Sequence, residues 1–409
     1  MLVSQYGVSV RLRPLYPVLS GESWSRTRGV AGVAVTVCAN PMPDVLHTWD
    51  SLVERSPGTD ITQVSAWMRV RRTVGFTTLH LFAYRAGVMV GGAQILCRKL
   101  PLLGPIGYLP YGPVVDPAAE EPAAVRHALA DALRGLCPGR LRMLFVQPAE
   151  GDDAVSAALL ARGFRPSSAA IAPAGSIRID LSDDLSVIRR RFGKRLRSWP
   201  NRWESRGVTV TEGGADDVAL LVRLMADSAR RQNFVPPPDD YVHTLYRELA
   251  ATGNAALFVG RVDGVPVAAD LVTICGGMIR GRLTGFERGE ETAGLSVPAA
   301  IRWEILKWGK ARGLRWLDFG GLSSATLDAL LDTHRRPEHV PTADQPKLTF
   351  GGTAFRYPQA VELIPTPPLR MVYDLTLRSR SGRRVIDRAR RSMRRGSASG
   401  TSDPCRGRS

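Results

Sequence analysis

Cysteine and histidine, the side chains most often used as nucleophiles and metal ligands, are scattered along this 409-residue chain. The five cysteines never form a C-x-x-C pair, and no H-E-x-x-H helix or Cys/His cluster occurs. This spacing predicts neither a metal site nor a disulfide framework, and it favours a reducing cytoplasm.

Motifs that bind phosphorylated cofactors or form a serine nucleophile are missing as well. The chain has no G-x-x-x-x-G-K-[ST] loop, no G-x-G-x-x-G turn opening a helix and no G-x-S-x-G elbow. An enzyme with this sequence would therefore need a substrate that arrives already activated, and we expect no cofactor.

The positive charge is concentrated at the C-terminal end. The chain has a formal charge of +17, and residues 378–409 contain 11 Arg against 2 Asp. Such a segment suits a polyanion, either RNA or anionic lipid headgroups, but it is equally typical of a solvated, disordered extension. No apolar run reaches the roughly 18 residues that span a bilayer, so an integral membrane or exported protein is not expected.

Two segments of the chain repeat each other, which organises the whole sequence. The segment LFAYRAGVMVGGA at residues 81–93 is similar to LFVGRVDGVPVAA at residues 257–269. Each predicts two strands joined by a tight glycine turn, a β-hairpin. Leu141–Leu144 matches Leu314–Leu317 at nearly the same offset.

Helices are predicted before both members of this second match. One covers residues 119–134, and the other runs from Ser296 to about Lys310, with Ile301, Ile305 and Trp308 on one face. Each repeat thus consists of a hairpin, a further strand, a helix and a strand. We predict an α/β (α+β) fold of two similar lobes, each a mixed sheet flanked by helices.

The boundary between the lobes is expected near residues 174–175. A strand is predicted at residues 176–181, followed by a strongly basic helix that Pro200 interrupts. That helix could contact a phosphate backbone or could simply present a charged face to solvent. Two further helices are predicted at residues 216–231 and 239–250.

The order of several motifs resembles that of the Fem-type peptidyltransferases. The motifs are the two hairpins, GYLPYGPVVDP at residues 107–117, LDFGG at residues 317–321 and PKLTFGG at residues 346–352. The resemblance implies two tandem acetyltransferase-like (GNAT) lobes. It also implies an aminoacyltransferase that joins the amino acid of an aminoacyl-tRNA, as co-substrate, to an amine acceptor.

The resemblance also implies a division of the chain and a set of partners. The first lobe would comprise residues 44–175 with about 345–375, and the second lobe residues 176–344. Residues 1–43 would be a partly disordered extension and residues 376–409 a basic disordered tail. The acceptor would be a peptidoglycan precursor or a peptide antibiotic intermediate, and we expect a cytoplasmic monomer that can touch an anionic membrane through its tail.

Two catalytic residues are carried over from the resemblance. Lys347 falls where the family has a lysine in a motif like F-K-x-x-F-G, and its ammonium could stabilise the oxyanion formed as an amine attacks an ester. Asp116 matches an acidic position facing the acceptor, where a carboxylate could orient or deprotonate the incoming ammonium. The alternatives are an ordinary surface lysine and an Asp-Pro turn before a helix.

Three substrate-binding residues follow in the same way. Arg71 stands where the family has a lysine that contacts acceptor phosphate, and Arg231 matches another phosphate-contacting arginine, although Arg230 aligns equally well. Tyr111 stands where relatives often have arginine. The alternative for both arginines is a helix charge facing solvent.

Two other functions stay open on sequence alone. A GNAT enzyme could use acyl-CoA, but the usual R/Q-x-x-G-x-G/A loop is absent from residues 113–119 and 285–298. A non-catalytic RNA- or membrane-binding protein that relies on the basic tail is the other alternative.

Overall fold

The structure is a computed structural model of the chain. It describes residues 25–27, 32–100, 103–232, 234–290, 292–332, 339–379, 382 and 384. Most of the predicted N-terminal extension and nearly all of the predicted basic tail lie outside these residues.

The described residues form two mixed β-sheets. The first sheet contains β1 (Ser25–Thr27), β2 (Val33–Cys38), β3 (Thr77–Arg85), β4 (Val88–Leu100), β5 (Gly104–Pro110), β6 (Val114–Val115), β7 (Met143–Gln147), β8 (Arg165–Pro166) and β16 (Val361–Leu363). The second contains β9 (Gly175–Asp180), β10 (Val208–Gly213), β11 (Ala255–Val262), β12 (Val265–Cys275), β13 (Met278–Phe286), β14 (Trp316–Gly321) and β15 (Thr353–Arg356). Their orders are β1-β2-β3-β4-β5-β7-β16-β8, with β6 beside β4, and β10-β11-β12-β13-β14-β9-β15.

Helices flank both sheets. They are α1 (Pro43–Arg55), α2 (Ala66–Arg72), α3 (Pro122–Gly135), α4 (Asp153–Leu160), α5 (Leu185–Arg190), α6 (Lys194–Arg197), α7 (Val218–Gln232), α8 (Asp239–Ala250), α9 (Val297–Ala311), α10 (Ser324–Asp332), α11 (Gln345–Thr349) and α12 (Pro367–Arg378). Within the described part of the chain, none of them is long and apolar enough to cross a membrane.

The repeated segments form matching hairpins, and the α/β fold of two lobes is confirmed. Strands β3 and β4 turn at Ala86-Gly87, and strands β11 and β12 turn at Asp263-Gly264. The four turn residues have φ of 47°, 84°, 47° and 85°, the left-handed pair that a type I′ hairpin turn requires. In each sheet the next strand then pairs in parallel across a helix, β5 with β7 and β13 with β14.

The sheets begin and end at other residues than the sequence analysis expected. Strand β2 pairs with β3 from Val33 to Cys38, so the first sheet starts before residue 44, because Val33, Val35 and Val37 bury one face of an alternating segment. Residues 353–356 pair with β9 in the second sheet, and β16 is the segment that returns to the first. Residues 376–378, expected in the tail, form the end of α12.

The lobes pack together through α2 and α8. Val70 of α2 and Leu245 of α8 belong to one buried apolar cluster that continues into both lobes. At its edge Arg69 donates a hydrogen bond to Glu248 at 2.5 Å. This contact fixes α2, which carries two residues of the site described next.

Candidate functional site

A cavity of about 1020 Å³ lies where the two lobes meet. The first lobe contributes Trp67, Arg71, Tyr108, Tyr111 and Gln147, and the second contributes Arg282, Asp344, Lys347 and residues 321–324. Residues 170–174 and 356–360, where the chain passes between the lobes, complete the wall. A volume of this size accommodates a large organic ligand.

Buried amides hold the first-lobe wall. The side-chain amide of Gln63, which precedes α2, donates a hydrogen bond to the carbonyl of Pro110 at 2.6 Å. The side-chain oxygen of Gln63 accepts a hydrogen bond from the backbone amide of Gln94 at 2.8 Å. Gln94 in turn lies 2.9 Å from Nε2 of His80, which is fully buried. Because these groups satisfy each other, the start of α2 and the end of β5 are tied to one rigid sheet.

Tyr111 lies directly after β5 and lines the cavity. Its φ of 49° places a bulky residue in the left-handed region, a conformation often found at functional sites. The Tyr111 ring lies 5.0 Å from the ring of Tyr357 and 5.2 Å from the Arg280 guanidinium. Burial raises the pKa of Tyr111 to about 12, so its hydroxyl stays protonated and can donate a hydrogen bond.

Lys347, on the short helix α11, also lines the cavity. Its ammonium donates a hydrogen bond to the carbonyl of Gly321 and lies 3.8 Å from Oδ1 of Asp344. Burial lowers the pKa of Lys347, and the charge of Asp344 acts in the opposite direction. A partly desolvated cation at the wall of a cavity can stabilise negative charge that develops there.

Asp344 is held in place by the segment after β14. Its Oδ2 accepts hydrogen bonds from the Ser323 amide at 3.1 Å and the Thr326 hydroxyl at 2.9 Å. Burial alone would raise the pKa of the Asp344 carboxyl, but these bonds and the charge of Lys347 outweigh it and the pKa is lowered. Asp344 is therefore a fixed anion beside Lys347.

Arg280 joins the two lobes beside the cavity. Its guanidinium is bonded to Asp60 of the first lobe and lies 2.9 Å from Oδ2 of Asp318 in the second. It also donates to the Tyr357 hydroxyl at 3.0 Å. Both carboxylates are almost fully buried, at 3% and 0% exposed, so this arginine is a counter-charge shared by two groups that water cannot reach.

Arg282 follows two residues later on β13, on the same face as Arg280. Its guanidinium lies 4.9 Å from the Trp67 ring centroid and 3.8 Å from Oδ1 of Asp60. Its Nε and Nη2 atoms are buried and make no hydrogen bond with any described residue. A buried donor without an acceptor is costly, so this guanidinium suits an anionic group of a ligand.

Positive charge dominates the cavity wall. Arg71, 2% exposed, stacks on Phe76 at 4.3 Å and lines the cavity together with Arg282, Lys347 and Arg356. Asp344 is the one carboxylate among the described lining residues. The cavity therefore favours a ligand that carries negative charge.

The remaining two predicted site residues lie elsewhere. Asp116 is absent from the described cavity wall, and its carboxylate is bonded to Arg55 and to the Ala118 amide at 3.0 Å. Arg231, exposed at the end of α7, donates to the carbonyl of Phe286 and is likewise absent from that wall. The contacts of both residues fit the structural alternatives, and their roles in binding or catalysis stay predictions.

Sequence reasoning missed the charged residues of β13 and their first-lobe partner. Arg280 and Arg282 alternate in a segment that could have been recognised as a strand with both arginines on one face. Asp60, 220 positions away, carried no local signal beyond starting a helical turn through its bond to the Thr62 amide.

Comparisons with known proteins agree with this architecture. A family described as an acetyltransferase (GNAT) domain matches residues 189–329. The lipid II:glycine glycyltransferase of Staphylococcus aureus is 26% identical over 234 residues, which cover 52% of this chain and 53% of that protein. The chain thus aligns with about half the length of the curated relatives it matches.

The solved structure of FemX has the same fold. It superposes with a TM-score of 0.70 at 16% identity and covers 80% of this chain and 98% of FemX. The chain is therefore a transferase-like protein that contains an acetyltransferase (GNAT) domain, is similar in sequence to glycyltransferases over about half of its length and shares the fold of FemX.

Proposed function

We propose that this protein transfers the amino acid of an aminoacyl-tRNA to an amine of a peptidoglycan precursor. The observation that carries the proposal is the position of Lys347, whose ammonium lies in the wall of the inter-lobe cavity beside Asp344. The relatives named lipid II:glycine glycyltransferase support an acceptor of this class.

The reaction requires one bond to form and one to break. The acceptor amine attacks the ester carbonyl carbon and the new carbon–nitrogen bond forms. The nitrogen then loses a proton, and the ester oxygen takes one up and leaves as the tRNA hydroxyl. Between these events the carbonyl oxygen carries negative charge. Lys347 would stabilise that charge, and the energy stored in the ester explains why the sequence has no ATP-binding motif.

The charge of the cavity supports a negatively charged acceptor. Arg71 and Arg282 lie on the walls contributed by different lobes, so an anionic group bound by both would bridge them. The Nε and Nη2 atoms of Arg282, which make no hydrogen bond within the described residues, would gain an acceptor in the bound state.

A transfer assay with charged tRNA tests the proposal. Labelled amino acid should move from tRNA to the amine acceptor, and ribonuclease should abolish the transfer. Replacing Lys347 with Met should slow it about 10²- to 10³-fold, the usual cost of losing one oxyanion donor. Lys307→Met, which removes an exposed lysine paired with Glu304, is the matched control and should keep full activity. Transfer that survives both ribonuclease and Lys347→Met would contradict the mechanism.

An acyl-CoA donor is the second candidate, because the GNAT domain contains another cavity. This cavity, of about 380 Å³, lies between β13 and the start of α9 and is lined by residues 286–289, 292–294 and 296–298 among others. Calorimetric titration with acetyl-CoA separates the two donors. Micromolar binding would favour acyl-CoA, whereas the tRNA proposal expects none.

A further inference from the structure

Helix α12 carries apolar side chains on two opposite faces. Its inner face packs on the first lobe, where Leu369 and Tyr373 contact the apolar core and the Tyr373 hydroxyl donates to Glu362 at 3.2 Å. Asp374 pairs with Arg165 at 2.6 Å. These contacts fix the rotation of the helix about its axis and thereby decide which residues point outward.

The outward face is apolar and exposed. Met371, Val372 and Leu375 are 60%, 54% and 55% exposed. Leu375 follows Met371 by four residues and Val372 by three, and these two spacings place Leu375 next to both on the helix surface. Three large exposed apolar side chains in about one helical turn indicate a binding surface, whereas single ones are ordinary on protein surfaces.

The surroundings of this face are positively charged. Arg370 and Arg378 are exposed on the same helix. The sequence that follows, residues 379–409, contains 10 Arg and 2 Asp. An apolar helical face flanked by arginines is the pattern of a helix that lies in the surface of an anionic bilayer, with its apolar side chains between the lipid headgroups.

We propose that the exposed face of α12, formed by Met371, Val372 and Leu375, docks on an anionic lipid membrane. The arginines around this face would by themselves bind RNA as well as an anionic membrane. Aliphatic side chains of this kind add nothing to phosphate contacts, whereas they gain free energy when they leave water for the acyl-chain boundary. The site goes beyond the transfer reaction and holds whether or not the proposed donor is correct.

Flotation with lipid vesicles tests this surface. The full chain is mixed with vesicles of phosphatidylcholine alone or with phosphatidylglycerol added, neither containing a peptidoglycan precursor. Wild-type protein should float with the anionic vesicles and release at high salt. The variant V372E/L375E should bind at least about ten-fold more weakly, a loss of 1.4 kcal/mol or more.

Controls separate membrane binding from misfolding and from simple charge. Val265, 55% exposed at the β11–β12 turn, gives the matched variant Val265→Glu, which should float like wild type. Leu375→Ser tests the face without adding negative charge and should weaken flotation in the same direction. Equal flotation of wild type and V372E/L375E would overturn the proposal, as would RNA binding by both proteins with no flotation by either.

Discussion

The two lobes contain the same hairpin, but the side chains on its paired strands differ in polarity. In the first lobe His80 lies opposite Gln94 on the paired strand, and both are fully buried. At the matching place of the second lobe, Ala256 lies opposite Val272. The first lobe uses buried hydrogen bonds to hold the wall of the cavity rigidly.

The second lobe instead places charged groups where it meets the first. Arg280 and Arg282 on β13 and Lys347 on α11 all lie beside or within the cavity wall. The difference teaches that a duplicated fold can divide a site unevenly. Along the described cavity wall, one copy adds a buried network of neutral groups beside its single cation, Arg71, and the other copy supplies most of the charged groups. Four predictions test this division, beginning with the largest expected effects.

Arg280→Met should cost the most stability. It leaves Asp318 buried without its counter-charge and leaves Asp60 with Arg282 alone, 3.8 Å away. Breaking a buried ion pair from one side typically costs about 3–5 kcal/mol in free energy of unfolding. Urea unfolding followed by circular dichroism measures the loss. The control is Arg315→Met, at the exposed pair with Asp180, which should cost less than about 1 kcal/mol. Equal losses would mean that Arg280 does not join the lobes.

His80 should make the first lobe sensitive to acid. Burial lowers the pKa of His80 from 6.5 to about 4. Between these two pH values the unfolded chain therefore binds more protons than the folded protein. The free energy of unfolding should decrease by about 3 kcal/mol as the pH falls from 6.5 to 4.

The variant His80→Gln checks the assignment of this pH dependence. It removes the titrating ring, so the slope of stability against pH in this window should become shallower than in wild type. An unchanged slope would show that another group is responsible.

Arg282→Gln should weaken acceptor binding without stopping the chemistry. The KM for the acceptor should rise about ten-fold, equivalent to 1.4 kcal/mol, while kcat stays close to wild type. Arg261→Gln, which removes an exposed arginine bonded to Thr211, provides the comparison and should change neither constant. A fall in kcat alone would place Arg282 at the reacting atoms instead.

Gly87→Ala and Gly264→Ala should have equal and small effects, because the hairpin turns are the part that both lobes share. A Cβ at either position meets no atom within 4 Å, so the cost comes only from the left-handed backbone and should be about 1–2 kcal/mol. Gly135→Ala, at the end of α3 with equal space and no positive φ, should be neutral or stabilising. Unequal costs at the two turns would show that the hairpins are not equivalent.

Local patterns predicted much of the fold because the structures they describe are local. The glycine turns and the helix expected from Ser296 to about Lys310, observed at Val297–Ala311, were readable from nearby residues. Strand β2 was missed because no turn signal joins it to β3, its partner, which lies some 40 residues later.

Only those residues of the candidate site that lie in recognisable motifs could be predicted from the sequence. Lys347, Arg71 and Tyr111 were found by resemblance, and all three line the cavity. The ion pair between Arg280 and Asp60 joins residues 220 positions apart, so only the packed lobes bring them together. The same lack of long-range information explains why Asp116 was expected at the cavity although its carboxylate is bonded to Arg55.

Strand β16 has a consequence for biosynthesis. It pairs with β7 and β8 in the first sheet, yet its residues come after the whole second lobe in the sequence. On the ribosome the early half must therefore wait, with an open edge at β7, until about 200 further residues have been translated, as the separation of Val146 from its partner Val361 requires. Such late closure favours slow folding and gives chaperones a defined strand edge to protect in the nascent protein.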